Sequence, residues 1–122
     1  MKLNHINLPV TDVAATRAFF ETYFDLHCIL DKGPDTFIGL SDGAEMALAL
    51  SDFDKGAEVV YPKWFHIGFM QDTDAQVDEV HQRLTAGGIK ADKPAHLHGA
   101  WTFYFTAPGG FTVEVSHQHP GE

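Results

Sequence analysis

Leu3-Asn4-His5-Ile6-Asn7-Leu8 and Trp64-Phe65-His66-Ile67-Gly68-Phe69 are one short pattern met twice, with a histidine in third place each time. Both read as half-buried strands. Ile6 and Leu8 share one face, as do Phe65, Ile67 and Phe69, and each histidine points to the other face. Thr11-Asp12 and Thr73-Asp74 follow as helix N-caps. The first predicted helix runs to about Phe24, with Val13, Thr16, Phe20 and Phe24 as its stripe. The second buries Val77, Val80, His81 and Leu84 and stops at Ala86-Gly87-Gly88, where glycine supplies the left-handed cap.

Strand-like segments complete each half. In the first they are residues 26–30, 36–40 and 44–50, the last two joined around Ser41-Asp42-Gly43. In the second they are residues 89–92, 100–106 and 111–115, with a loop over 93–99 and a turn at Pro108-Gly109-Gly110. Each half is therefore βαβββ. The expected fold class is α+β, two such modules in one domain forming a curved mixed sheet around a cup. Module one covers about 1–51, a polar linker 52–63 and module two 64–117. His117 and His119 fall in a short frayed tail. Neither half buries enough surface to stand alone.

The chain has 122 residues and a net charge of −9, from 8 basic and 17 acidic residues. That balance argues against nucleic acid or an anionic membrane as partner. No run approaches the length of a membrane span, and Met1 to Pro9 shows no secretory leader. The single Cys28 excludes an intrachain disulfide. These features fit a cytoplasmic protein.

Glu114 alternates with Phe111, Val113 and Val115, so it also leaves the apolar face. His5, His66 and Glu114 together make two imidazoles and one carboxylate. That set suits an open divalent-metal site built from both halves. A carboxylate without a partner in a closed cup is costly, so a metal or a proton is needed for Glu114.

The chain resembles the vicinal oxygen chelate superfamily, which includes glyoxalase I, extradiol dioxygenases, fosfomycin-resistance enzymes and bleomycin-binding proteins. The resemblance spans about residues 3–116. It is carried by the segment from His5 to Asp12, by Phe19-Phe20, by His66-Ile67-Gly68-Phe69 and by the segment from Phe103 to Glu114. It implies metal ligands His5, His66 and Glu114, a divalent ion (Fe, Mn, Ni or Zn) and a small-molecule substrate chelated through adjacent oxygens. It also implies a homodimer, since relatives with a single pair of modules cover their edges by pairing.

Glyoxalase I enzymes add a fourth ligand on the last strand of the first module. Aligning Asp42-Gly43-Ala44 with Gly109-Gly110-Phe111 places Ala47 opposite Glu114, so that ligand is missing. Glu45 lies nearby on the opposite strand face. The segment from His96 to Glu114 is similar to the dioxygenase signature. By that resemblance Tyr104 and His96 hydrogen-bond substrate or oxygen. Residues 53–65 hold no histidine where dioxygenases carry an acid–base residue. The resemblance thus implies a dioxygenase-like enzyme. A glyoxalase I-like lyase and a non-catalytic binding protein of the bleomycin-resistance type are the alternatives.

Overall fold

The chain's structure, a computed structural model, describes residues 1–120. Strands β1 (His5–Pro9), β2 (His27–Asp31), β3 (Phe37–Ser41) and β4 (Ala47–Ser51) accompany helix α1 (Val13–Phe24). Strands β5 (His66–Met70), β6 (Ala95–Leu97), β7 (Ala100–Thr106) and β8 (Thr112–Gln118) accompany helix α2 (Asp74–Ala86). Each set forms a mixed four-stranded sheet, in the orders β1-β4-β3-β2 and β5-β8-β7-β6. The two βαβββ modules of the sequence reading are therefore present. Compact units follow them: one comprises Met1–Val60 with 108–110, the other 61–107 and 111 onward.

Local chemistry explains the helices. Asp12 caps α1 by accepting from the Ala15 amide at 2.9 Å, and Thr73 caps α2 by accepting from the Gln76 amide at 3.1 Å. In the first unit Phe20 and Val13 bury with Leu8, Ile38, Leu40 and Leu50. In the second, Val77 and Leu84 bury with Phe103, Phe111, Val113 and Val115. Each such aliphatic or aromatic side chain contributes about 1.5–3 kcal/mol by leaving water.

Pairing register makes the two sheets directly comparable. β1 lies parallel to β4 with His5 opposite Ala47 and Asn7 opposite Ala49. β5 lies parallel to β8 with His66 opposite Thr112 and Gly68 opposite Glu114. Superposing the ladders equates His5 with His66, Ala47 with Thr112 and Ala49 with Glu114.

The structure revises several sequence expectations. Residues 89–92 form only an isolated bridge, Ala91 to Phe105, while Ala95–Leu97 within the expected loop is strand β6. The fourth strand begins at Ala47 rather than 44, because Asp42 accepts from the Ala44 amide and holds that stretch as a turn. Glu45 is thus outside the strand, exposed and paired with Lys2 at 2.9 Å. Gly88 at φ +84°, not Gly87 at −84°, supplies the left-handed residue after α2. The expected tail is ordered as well: β8 continues to Gln118, and both His117 and His119 bond Asp74. Gly121 and Glu122 lie outside the described residues.

Candidate metal site on the second sheet

Alternation along β7 and β8 sorts the second sheet into two faces. Phe103, Phe105, Val113 and Val115 bury toward α2, where His81 meets Phe103 and Asp78 accepts from the Trp101 indole N–H at 2.8 Å. Thr102, Tyr104, Thr112, Glu114 and Ser116 take the other face. There a cavity of about 710 Å³ is lined by His66, Tyr104 and Glu114, with His98, Lys63 and Trp64 among its other walls.

His66 is held in one tautomer. Its Nδ1 lies 3.1 Å from the Trp64 carbonyl oxygen, which only accepts, so Nδ1 carries the proton. Nε2 is left facing Glu114 Oε1 across 3.6 Å. That separation is too long for a hydrogen bond. It is close to the spacing of about 3–3.4 Å expected of two ligand atoms bound to one ion at about 2.0–2.1 Å each. His66 remains 46% exposed while Glu114 is 20% exposed.

Glu114 is oriented by its neighbours. The Thr102 hydroxyl lies 2.8 Å from Oε2 and 3.1 Å from the Val115 carbonyl, and its single proton serves the charged acceptor. Thr102 is fully buried, so this support is fixed. Tyr104 stands directly across the ladder from Glu114. Burial, then a hydrogen bond with Glu114, pushes the Tyr104 hydroxyl above the usual phenol range, so it keeps its proton. The Tyr104 ring meets His66 edge-on at 6.0 Å between centroids.

Of the residues singled out from sequence, His66, Glu114 and Tyr104 come together. His5 belongs to the first unit, exposed on β1, with Nδ1 2.8 Å from Asn4 Oδ1. With Nδ1 directed at Asn4, its Nε2 is the ring nitrogen left open, as in His66. His96 does not join Tyr104. It pairs with Trp101 across β6 and β7, so both point toward the α2 face, and its ring lies 4.9 Å from the Trp101 ring. His98 lines the cavity instead. It sits with Gly99 in the two-residue turn between β6 and β7, at φ 54° and 72°. Asparagine is the usual residue there, so a histidine with positive φ marks a position kept for its side chain. Sequence reading places His98 in the loop over 93–99 and gives it no part in the site.

The expected counterpart of Glu114 also moves. Ladder register equates Glu114 with Ala49, not Ala47, because Gly68 and Asn7 are their respective partners. Ala49 is buried and has no donor atom, so the first module still lacks a carboxylate at that place. An imidazole, a supported carboxylate and a protonated phenol on one cavity wall fit a divalent ion and an oxygen-rich ligand.

Comparison with known proteins agrees with the paired βαβββ fold. The family model for the Glyoxalase/Bleomycin resistance protein/Dioxygenase superfamily matches residues 2–115. A possible glyoxalase from Bacillus cereus is 46% identical, with 95% of this chain and 98% of that one covered and a TM-score of 0.84. A lactoylglutathione lyase from Agrobacterium tumefaciens is 24% identical, covering 95% and 92% of the two chains, with a TM-score of 0.77. The genomically encoded fosfomycin resistance protein FosX from Listeria monocytogenes is 22% identical, covering 98% and 95%, with a TM-score of 0.78. These two share the fold. No curated protein matched. The near-complete match to the family model and the repeated histidine strand lead to one conclusion: this chain belongs to the Glyoxalase/Bleomycin resistance protein/Dioxygenase superfamily, the vicinal oxygen chelate proteins.

Proposed function

We propose that the chain is a divalent-metal-dependent enzyme acting on a small molecule with two adjacent oxygens. His66 and Glu114 are the ligands of the second module and His5 is the third. The observation that carries this reading is His66, oriented by its Nδ1 contact with the Trp64 carbonyl so that Nε2 faces the Glu114 carboxylate at 3.6 Å. His5 is assigned by its equivalent ladder position and by an Nδ1 likewise engaged by a neighbouring oxygen. A homodimer is part of the proposal. Among the described residues no helix is long and apolar enough to cross a membrane.

The bound ion would supply Lewis acidity toward two neighbouring substrate oxygens. The protein does the rest. Thr102 holds Glu114 in place. Tyr104, protonated at neutral pH, donates to a substrate oxygen on which negative charge grows. His98, on the cavity wall, takes or returns a proton. Trp64 offers a flat apolar wall and Lys63 a cation, its ammonium 4.9 Å from the Trp64 ring centre. A three-ligand set leaves positions for a bidentate substrate, and Ala49 supports it over a four-ligand lyase site.

The test is a screen of metal-reconstituted protein against catechols, hemithioacetal adducts of thiols and fosfomycin, with oxygen uptake followed in parallel. Turnover of one class that His66→Ala abolishes supports the proposal. Tight binding of an aromatic ligand with no metal and no turnover would replace it with the binding-protein reading.

A further inference from the structure

A second group of metal-ligating side chains lies on the other face of the second sheet. Asp74 opens α2, His117 lies near the end of β8 and His119 just past it. Asp74 Oδ1 accepts from His117 Nδ1 at 2.8 Å and from His119 Nε2 at 2.7 Å. One ligand atom from each residue fits within a span of 4.8 Å. The two rings lie 5.2 Å apart, and the His96 ring stands 5.1 Å from His119.

We propose that Asp74, His117 and His119, joined by His96, form a transition-metal site for zinc, nickel or copper, separate from the cavity of Glu114. Three imidazoles with one carboxylate favour these ions over magnesium or calcium, which prefer oxygen. The strand supplies the pair: residues two apart share a face, and the His119 amide bonds the Gly99 carbonyl at 2.8 Å, which keeps His119 in line beyond β8. Both hydrogen bonds to Asp74 use a ring proton that a metal replaces, so the metal-free cluster already aims its donor atoms at one point. Spreading those atoms from 2.7–2.8 Å to about 3.3 Å admits an ion bound at about 2.0–2.1 Å.

Neighbouring groups hold the arrangement. Asp78, one turn after Asp74 on α2, accepts from Trp101, and the Trp101 ring packs on His96. His119 is 18% exposed and His117 31%, so the rings are fixed yet reachable. Bonds from His119 and then His117 hold the Asp74 carboxyl below its ordinary range, which keeps it ionised. The chain's net charge of −9 favours cations in general.

The experiment is calorimetric titration of untagged, full-length protein with Zn²⁺, alongside Cu²⁺ electron paramagnetic resonance to count imidazole nitrogens. Glu114→Gln, which removes the cavity site, is expected to retain one zinc ion per chain. Asp74→Asn and His119→Gln, each placed on top of Glu114→Gln, are expected to weaken that ion at least tenfold, and His119→Gln also to remove one imidazole nitrogen coupling. Circular dichroism of the metal-free variants controls for folding, and Asp74→Asn, which preserves shape and the Thr73 cap, serves if His119→Gln unfolds. Unchanged zinc affinity in folded Asp74→Asn overturns the proposal and leaves the cluster as a hydrogen-bonded clamp between α2 and β8. Loss of all zinc in Glu114→Gln alone overturns it as well.

Discussion

The two units share a chain path and a ladder register, yet their equivalent strands carry opposite chemistry. On β7 and β8 the sequence places Thr102, Tyr104 and Glu114 on one face. The ladder equates these with Phe37, Gly39 and Ala49 on β3 and β4. Phe37 stacks on Phe53 at 5.4 Å, and a side-chain carbon added at Gly39 would meet Leu30 at 3.1 Å. At these three positions, then, the first unit carries apolar or side-chain-free residues where the second keeps polar ones. The histidine (His5, His66) and one serine (Ser51, Ser116) are common to both. One fold supports either arrangement because the opposite face, packed on the helix, carries the stability.

Transplanting the missing carboxylate tests that contrast most strongly. Ala49→Glu is expected to destabilise the metal-free protein by about 1–3 kcal/mol, because Ala49 is buried and a new carboxylate there lacks a partner. On the role proposed for His5, nickel or zinc then raises the melting temperature of this variant more than that of wild type. Ala47→Glu, opposite His5 in the ladder, is expected to give a smaller response. Thermal melts with and without metal distinguish them. An equal response at both positions breaks the register equivalence.

Removing support for Glu114 is the next largest effect. Thr102→Val keeps the shape and deletes the 2.8 Å bond to Oε2. Metal affinity should fall about tenfold, as for other partners that orient a ligand. Competition against a chelator reads it, and an unchanged affinity would show that Glu114 needs no such support.

His98 sharpens the comparison differently, because the first unit has no equivalent of its strained turn histidine. His98→Asn suits the positive φ and is expected to stabilise the fold by about 1 kcal/mol. Turnover of the substrate found in the screen should fall at least tenfold. Stability gained with turnover intact would mark His98 as a turn residue only.

The smallest effect lies in the helices. Phe20 and His81 stand at equal distance from their N-caps, Asp12 and Thr73. Phe20 is fully buried, whereas His81 packs on Phe103 with Nε2 buried and unpaired. His81→Phe should stabilise the protein by up to about 1 kcal/mol in urea unfolding, by removing that unpaired nitrogen. A loss instead would mean the His81 ring is needed where it lies.

Much of this was legible in the chain. Alternation around Val113 and Val115 put Glu114 on its face, and the repeated histidine strand marked both modules. Four features were not. β6 is three residues long, follows Lys93-Pro94 and holds no β-branched residue, so it reads as loop. His98 sits where a turn ordinarily has asparagine, and its backbone angle leaves no mark in the sequence. The Ala47 alignment matched two turns, but the register of β4 is set by its parallel pairing with β1, which no local pattern encodes. His117 and His119 read as tail because their partner, Asp74, is remote in sequence.

The central claim is a divalent ion held through Glu114 and the two strand histidines. Equilibrium dialysis with Ni²⁺ tests it most directly, using Asp74→Asn protein so that the helix-side cluster is disabled, with and without Glu114→Gln. The account predicts one tightly held ion per chain in Asp74→Asn and an affinity at least about a hundredfold weaker once Glu114→Gln is added. Equal nickel content in the two folded proteins would contradict it.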